Sequence, residues 1–204
     1  MALSKDIVFA FRKGFEDNCY QLLIDAYNKM ISDKRDVSTF LENDISAILN
    51  NNIELNSKSI EWKIDSKTEY YIFKDNQSIA KGFADKQSRI DFVFSVFTST
   101  KKYKYFIEAK NLKEKYDSGL KKRYIDTGIN NFISKKYENG SLVGYLVEGD
   151  LNNTIQGINK LLQKENRNQE YLVEKKIKKH NYYYESEHKE IGILKHLIFD
   201  FSNN

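Results

Sequence analysis

Apolar side chains recur at three- and four-residue steps over residues 4–31: Ile7, Phe11, Phe15, Cys19, Leu22, Leu23, Ala26 and Met30. That period turns one helix face towards a core, so a long N-terminal helix is expected there. After a polar break at 32–36, Leu41, Ile45, Ile48 and Leu49 predict a second helix over about 39–50, stopped by the Asn run 50–52. Thr39 and Glu42 fit the capping box T-x-x-E at its start. Residues 60–73 read as a strand or an interrupted pair of strands, and 74–82 as a turn. Two apolar strands follow, about 89–98 and 103–110, then a charged loop over 111–120 containing Gly119. A third helix is predicted over 121–137, closed by Asn139 and Gly140. Residues 141–149 form a short apolar strand bounded by Gly, of the kind buried at the centre of a sheet. A fourth helix spans 151–165 on Ile155, Ile158, Leu161 and Leu162. A charged segment (166–180) precedes two last strands, 181–186 and 193–202.

Strands that alternate with the last two helices predict an α/β fold, a mixed central sheet with helices on its faces. At 204 residues the chain has the size of one domain, 1–204, and shows no repeat or linker. It has no apolar run near the roughly 20 residues that span a bilayer, and its first residues lack a signal peptide. A cytoplasmic, membrane-free protein is expected. The single Cys19 excludes an internal disulfide and a Cys-rich zinc site. A net charge of +4 and a pI near 8.8 are compatible with a polyanionic partner without requiring one. There is no Gly-rich phosphate loop. The three histidines, His180, His188 and His196, fall in the tail without metal-site spacing. His196 reads as a hydrogen-bonded core residue.

The segment 89–112 changes this picture most. Asp91 and Glu108 each interrupt an apolar strand, and Lys110 follows Glu108 on the same face. Ile90, Phe92, Phe94 and Val96 form the face opposite Asp91 and Val93. Charges inside apolar strands are costly unless paired or bound to a metal. If the strands pair, two carboxylates and an ammonium converge. The bland alternative is a structural salt bridge.

The order helix–three strands–helix–strand, with Asp91, sixteen intervening residues and then Glu108-Ala109-Lys110, resembles the PD-(D/E)xK or restriction-endonuclease-like nucleases over about 36–165. Ile90 stands where that pattern often has proline. The resemblance implies an αβββαβ core, here with an N-terminal helix and extra C-terminal strands. It implies a Mg²⁺-dependent nuclease, Mn²⁺ being a possible substitute, with Asp91, Glu108 and Lys110 catalytic. Asp91, Glu108 and the Ala109 carbonyl would hold the ion. Glu42, or less readily Asp44, would add a carboxylate, unless Glu42 serves only the capping box. Lys121, Lys122, Arg123 and Tyr124 would line the nucleic acid, the alternative being a solvated helix face. DNA is the implied substrate, with RNA open. A defence-system effector with a partner subunit, or a homodimer, is the implied setting. The competing expectation is a nuclease fold without catalysis, serving binding or assembly.

Overall fold

The computed structural model describes residues 4–72, 87–99, 101–115 and 118–202. The turn expected over 74–82 lies outside the described residues. Seven strands form one mixed sheet in the order β1-β2-β3-β4-β7-β6-β5. They are β1 (Ile64–Ile72), β2 (Ser88–Phe97), β3 (Lys102–Lys113), β4 (Ser141–Glu148), β5 (Val173–Ile177), β6 (His180–His188) and β7 (Gly192–Asp200). β1, β2 and β3 are antiparallel neighbours. β3, β4 and β7 are parallel, and β6 and β5 complete the sheet antiparallel. The C-terminal strands are thus not an appendage, because β7 lies directly beside β4.

Helices cover both faces, as an α/β sheet requires. On one face, α1 (Lys5–Ser32) and α2 (Glu42–Glu54) bury Leu22, Leu23, Met30, Ile45 and Leu49 against Phe92, Ile107, Tyr145 and Phe199. On the other, α6 (Leu151–Lys164) and the helix after β3 bury Ile125, Ile129, Ile158 and Leu162 against Leu112, Leu142, Leu146 and Ile198. β4 has apolar contacts on both sides, matching its unbroken apolar sequence. No helix among the described residues is long and apolar enough to cross a membrane.

Several boundaries differ from the sequence expectation. α2 begins at Glu42, not near 39, because Asp44 Oδ2 accepts the Leu41 N–H at 2.9 Å. A short helix, α3 (Ser57–Glu61), precedes β1, with Asn56 capping it. The third helix is three pieces: α4 (Ser118–Arg123), a π-helical stretch (Tyr124–Ile129) and α5 (Asn130–Ile133). It stops before Tyr137, and Lys135, at φ 54°, takes the left-handed turn expected of Gly140. β5 emerges from the segment expected to be only a charged connection.

The tail buries a chain of polar groups. Tyr124 Oη meets His196 Nδ1 at 2.9 Å, and His196 Nε2 meets Ser186 Oγ at 2.7 Å. Ser186 Oγ meets His188 Nε2 at 2.6 Å, and His188 Nδ1 meets Glu170 Oε2 at 2.8 Å. Burial holds both imidazole pKa values down, His196 to about 3, so both rings are neutral near pH 7. The carboxylate only accepts, so His188 Nδ1 carries a proton and Nε2 accepts from Ser186. Ser186 then accepts from His196 Nε2–H, and Tyr124 donates to His196 Nδ1. Every donor runs one way, from Tyr124 to Glu170.

Candidate functional site

Strands β2 and β3 pair from Phe97↔Lys102 to Phe92↔Ile107. Beyond Phe92, β2 remains paired to β1, through Tyr70↔Ile90 and Ile72↔Ser88. At this parting Asp91 Oδ2 accepts the Ala109 N–H at 2.6 Å. The carboxylate thereby satisfies a backbone donor on β3. On β1, Glu69 lies between the pairs Thr68↔Phe92 and Tyr70↔Ile90, in a left-handed backbone at φ 49°. Side-chain alternation breaks here. Ile90 packs in the core beneath α6, whereas Phe92 packs beneath α1. Ile90 therefore does not share the face of Phe92 and Phe94 expected from strict alternation.

Three carboxylates meet one ammonium at this point. Lys110 Nζ lies 2.8 Å from Glu108 Oε1, 3.3 Å from Glu42 Oε1 and 3.6 Å from Asp91 Oδ2. It also donates to the Ala109 carbonyl at 2.5 Å. Its three protons thus go to Glu108, Glu42 and Ala109, leaving Asp91 a charge contact. The Lys110 side chain is 5 % exposed and that of Glu108 8 %. Burial works to lower the Lys110 pKa, but Glu108, Asp91 and Glu42 outweigh it, and the net shift is upward. For Glu108, burial raises the carboxyl pKa and Asp91 adds to it, against the pull of Lys110.

Further groups fix these carboxylates. Tyr137 Oη donates to Glu108 Oε2 at 2.6 Å, and Asn131 Nδ2 reaches Glu108 Oε1 at 3.4 Å. Burial, then Glu108, pushes the Tyr137 phenol up, so it remains a donor. Glu42 Oε2 accepts the Asn111 N–H at 3.0 Å, and Arg123 Nη2 reaches Glu42 Oε1 at 3.2 Å. Asn111 Nδ2 is tied to the Phe40 carbonyl, while its Oδ1 is buried without a hydrogen-bond partner among the described residues.

Asp91, Glu108, Ala109, Lys110 and Glu42 therefore come together. Glu42 is free of capping duty, which Asp44 performs. Asp44, the alternative carboxylate, is held at the helix start by the Leu41 N–H. The expected nucleic-acid face on the third helix is corrected at two positions. Lys121 is buried, donating to the Lys113 and Glu114 carbonyls at 2.6 Å. Tyr124 is fully buried, tied to His196. The π-helical stretch beginning there turns it inward. Lys122 is exposed and paired with Asp126 and Glu165. Arg123, half exposed, alone of the four touches the carboxylate cluster. The sequence reading missed Tyr137, Asn131 and Asn111 as partners of the site. Tyr137 carried a signal in its polar tip at the end of an apolar helix stripe.

Among the described residues no three His, Cys, Asp or Glu side chains stand as a ready-made metal cage. Glu42, Asp91 and Glu108 gather on the ammonium. Comparison with known protein families, with curated proteins and with solved structures finds no match for this chain.

Proposed function

We propose that the chain is a metal-dependent nuclease with a restriction-endonuclease-like core, hydrolysing phosphodiester bonds, DNA first among them. The observation that carries this reading is the convergence of Glu42, Asp91 and Glu108 on buried Lys110 where β2 and β3 part. The order α2, the short α3, β1, β2, β3, helix, β4 supports the αβββαβ core.

The donor set suits a hard divalent cation, which prefers oxygen ligands. Three carboxylates face two cationic side chains, and the buried Asn111 Oδ1, beside Glu42, has no hydrogen-bond partner among the described residues. Glu42, Asp91, Glu108 and the Ala109 carbonyl would hold Mg²⁺ or Mn²⁺. Bound there, the ion would polarise a phosphoryl oxygen and make a water more acidic. Lys110, on a flexible four-carbon stem, would withdraw from the carboxylates and turn to the phosphate, where its charge stabilises the developing negative charge. Tyr137 and Asn131 hold Glu108 in orientation, and Arg123, now on Glu42, would contact phosphate. Incubation of plasmid, linear and single-stranded DNA and of RNA with Mg²⁺ or Mn²⁺ tests this. Cleavage should vanish in Glu108→Gln and Lys110→Ala; wild type and variants behaving alike would sink it.

A second reading draws on the same ammonium. Lys110 already offsets part of the carboxylate charge, as it would in a nuclease fold kept for binding or assembly. Calorimetric titration with Mg²⁺ separates the two. Binding that disappears with Asp91→Asn and Glu108→Gln favours the enzyme, and no binding favours the module.

A further inference from the structure

A cleft of about 1060 Å³ lies beside the stretch of β3 that precedes its pairing with β4. Pockets for drug-sized molecules run to roughly 300–1,000 Å³, so the space stands at the upper end of that range. Its lining includes eight Lys or Arg side chains against two Glu. Only Lys195 among the eight engages a carboxylate in an ion pair among the described residues, with Glu16 at 2.7 Å. With Glu138 set against the other seven, an excess of positive charge remains around the cleft among the described residues.

Aromatic rings are interleaved with these cations. The Arg12 guanidinium sits 5.8 Å from the Tyr103 ring centroid, Lys104 Nζ 4.7 Å from Tyr70 and Lys136 Nζ 5.2 Å from Tyr137. The cleft and the carboxylate of Glu108 share strand β3. Lys102, Lys104 and Phe106 line it at alternate positions of β3, and Glu108 and Lys110 continue that row. At about 3.4 Å per residue, Glu108 lies about 14 Å along the strand from Lys104. Tyr137 belongs to both places, lining the cleft and donating to Glu108.

We propose that this cleft binds single-stranded nucleic acid and delivers its backbone to the cluster at Glu108. The substrate class rests on the nuclease reading above; the binding itself does not. Cations along a groove neutralise phosphates, and ring faces stack unpaired bases. In a duplex those base faces are already occupied, so a duplex offers the cleft charge alone. The surface that holds the substrate is therefore formed by α1, β3 and the turn after α5, not by the helix at Lys121 and Tyr124.

Fluorescence anisotropy in EDTA tests this, with one labelled sequence as single-stranded DNA, single-stranded RNA and duplex DNA. Either single strand should bind at least about fivefold tighter than the duplex, and the better of the two identifies its source. Tyr103→Leu should weaken single-strand binding at least about fivefold without changing the salt dependence. Lys135→Gln with Lys136→Gln, on the surface where folding is not at issue, should reduce the slope of log K against log[salt] by about 1.4. Equal binding of duplex, competition by inorganic polyphosphate as strong as by oligonucleotide, or an unchanged slope overturns the proposal. No binding of any nucleic acid overturns it too and leaves the cleft to an acidic protein surface. Cleavage is scored separately with Mg²⁺. Single-strand binding without cleavage keeps the cleft and removes the enzyme, and duplex cleavage without single-strand binding does the reverse.

Discussion

Lys110→Met removes the ammonium and keeps most of the stem. Glu42, Asp91 and Glu108 then lose the cation that lies 2.8–3.6 Å from each of them. Breaking a buried ion pair by removing one partner costs about 3–5 kcal/mol, because the other charge stays buried and uncompensated. For a chain of this size about 1 kcal/mol moves the melting temperature by 2–4 °C, so a drop of about 10 °C is expected at pH 7.5. The loss should shrink in acid. Burial and Asp91 raise the Glu108 pKa in the folded state, and the variant removes the Lys110 charge that opposes them. A carboxyl with a raised folded pKa destabilises the fold when ionised. That cost is present above the folded pKa and fades as pH falls towards the unfolded value near 4.3. Mg²⁺ should also restore the variant, entering where the ammonium stood, by about 2.7 kcal/mol at a hundred times its dissociation constant. Thermal melts at pH 7.5 and 5, each with and without Mg²⁺, give all three readings as differences from wild type. A variant as stable as wild type at pH 7.5 and indifferent to Mg²⁺ would refute both the ion-pair argument and the cation site.

Tyr137→Phe deletes the hydrogen bond to Glu108. Bonds to a charged partner contribute about 1.5–3 kcal/mol, so chemical denaturation should show a loss of that size. The Glu108 carboxyl should titrate higher, moving the acid limb of any cleavage profile to higher pH. For His196, folding lowers the pKa from 6.5 to about 3. Stability from keeping it neutral is present above pH 6.5 and lost as pH falls towards 3. About 2 kcal/mol should go between pH 7 and pH 5, as seen by urea titration at the two values. His196→Gln, which does not titrate, should flatten that dependence, and an unchanged slope would show the ring is not the cause.

Much of the architecture was legible because burial and periodicity agree. α1 was expected over 4–31 and spans Lys5–Ser32; its stripe is buried from Phe15 through Cys19, Leu22, Leu23, Ala26 and Met30, as a core-facing helix shows in sequence, whereas Ile7 and Phe11, expected in the same stripe, are exposed. β4 was readable as a central strand because nothing polar interrupts it until Glu148. β5 was not, because an exposed edge strand has no apolar face to display. The site was legible only as a pair of strands holding charges. That Glu42 joins them depended on Asp44 taking over the cap, a competition between two carboxylates that spacing does not decide. Lys121 misled for a different reason. Its long stem crosses Gly157, where a Cβ would stand 2.8 Å from Lys121 Cε, and the ammonium ends on backbone carbonyls. A run of three basic residues carries no record of which one turns in.

The one-way chain from Tyr124 to Glu170 bears on how the last two strands find their alignment. A slip of β6 against β7 by two residues leaves every side chain on its own face, so the apolar core discriminates weakly between the two alignments. The polar groups do not tolerate it. Tyr184 pairs with His196, Ser186 with Leu194 and His188 with Gly192; displaced by two, Ser186 no longer bridges both imidazoles. Several buried donors and acceptors would then be orphaned, each at about 1–3 kcal/mol. The buried histidines thus act as a key for strand register, admitting one alignment where hydrophobicity alone accepts several.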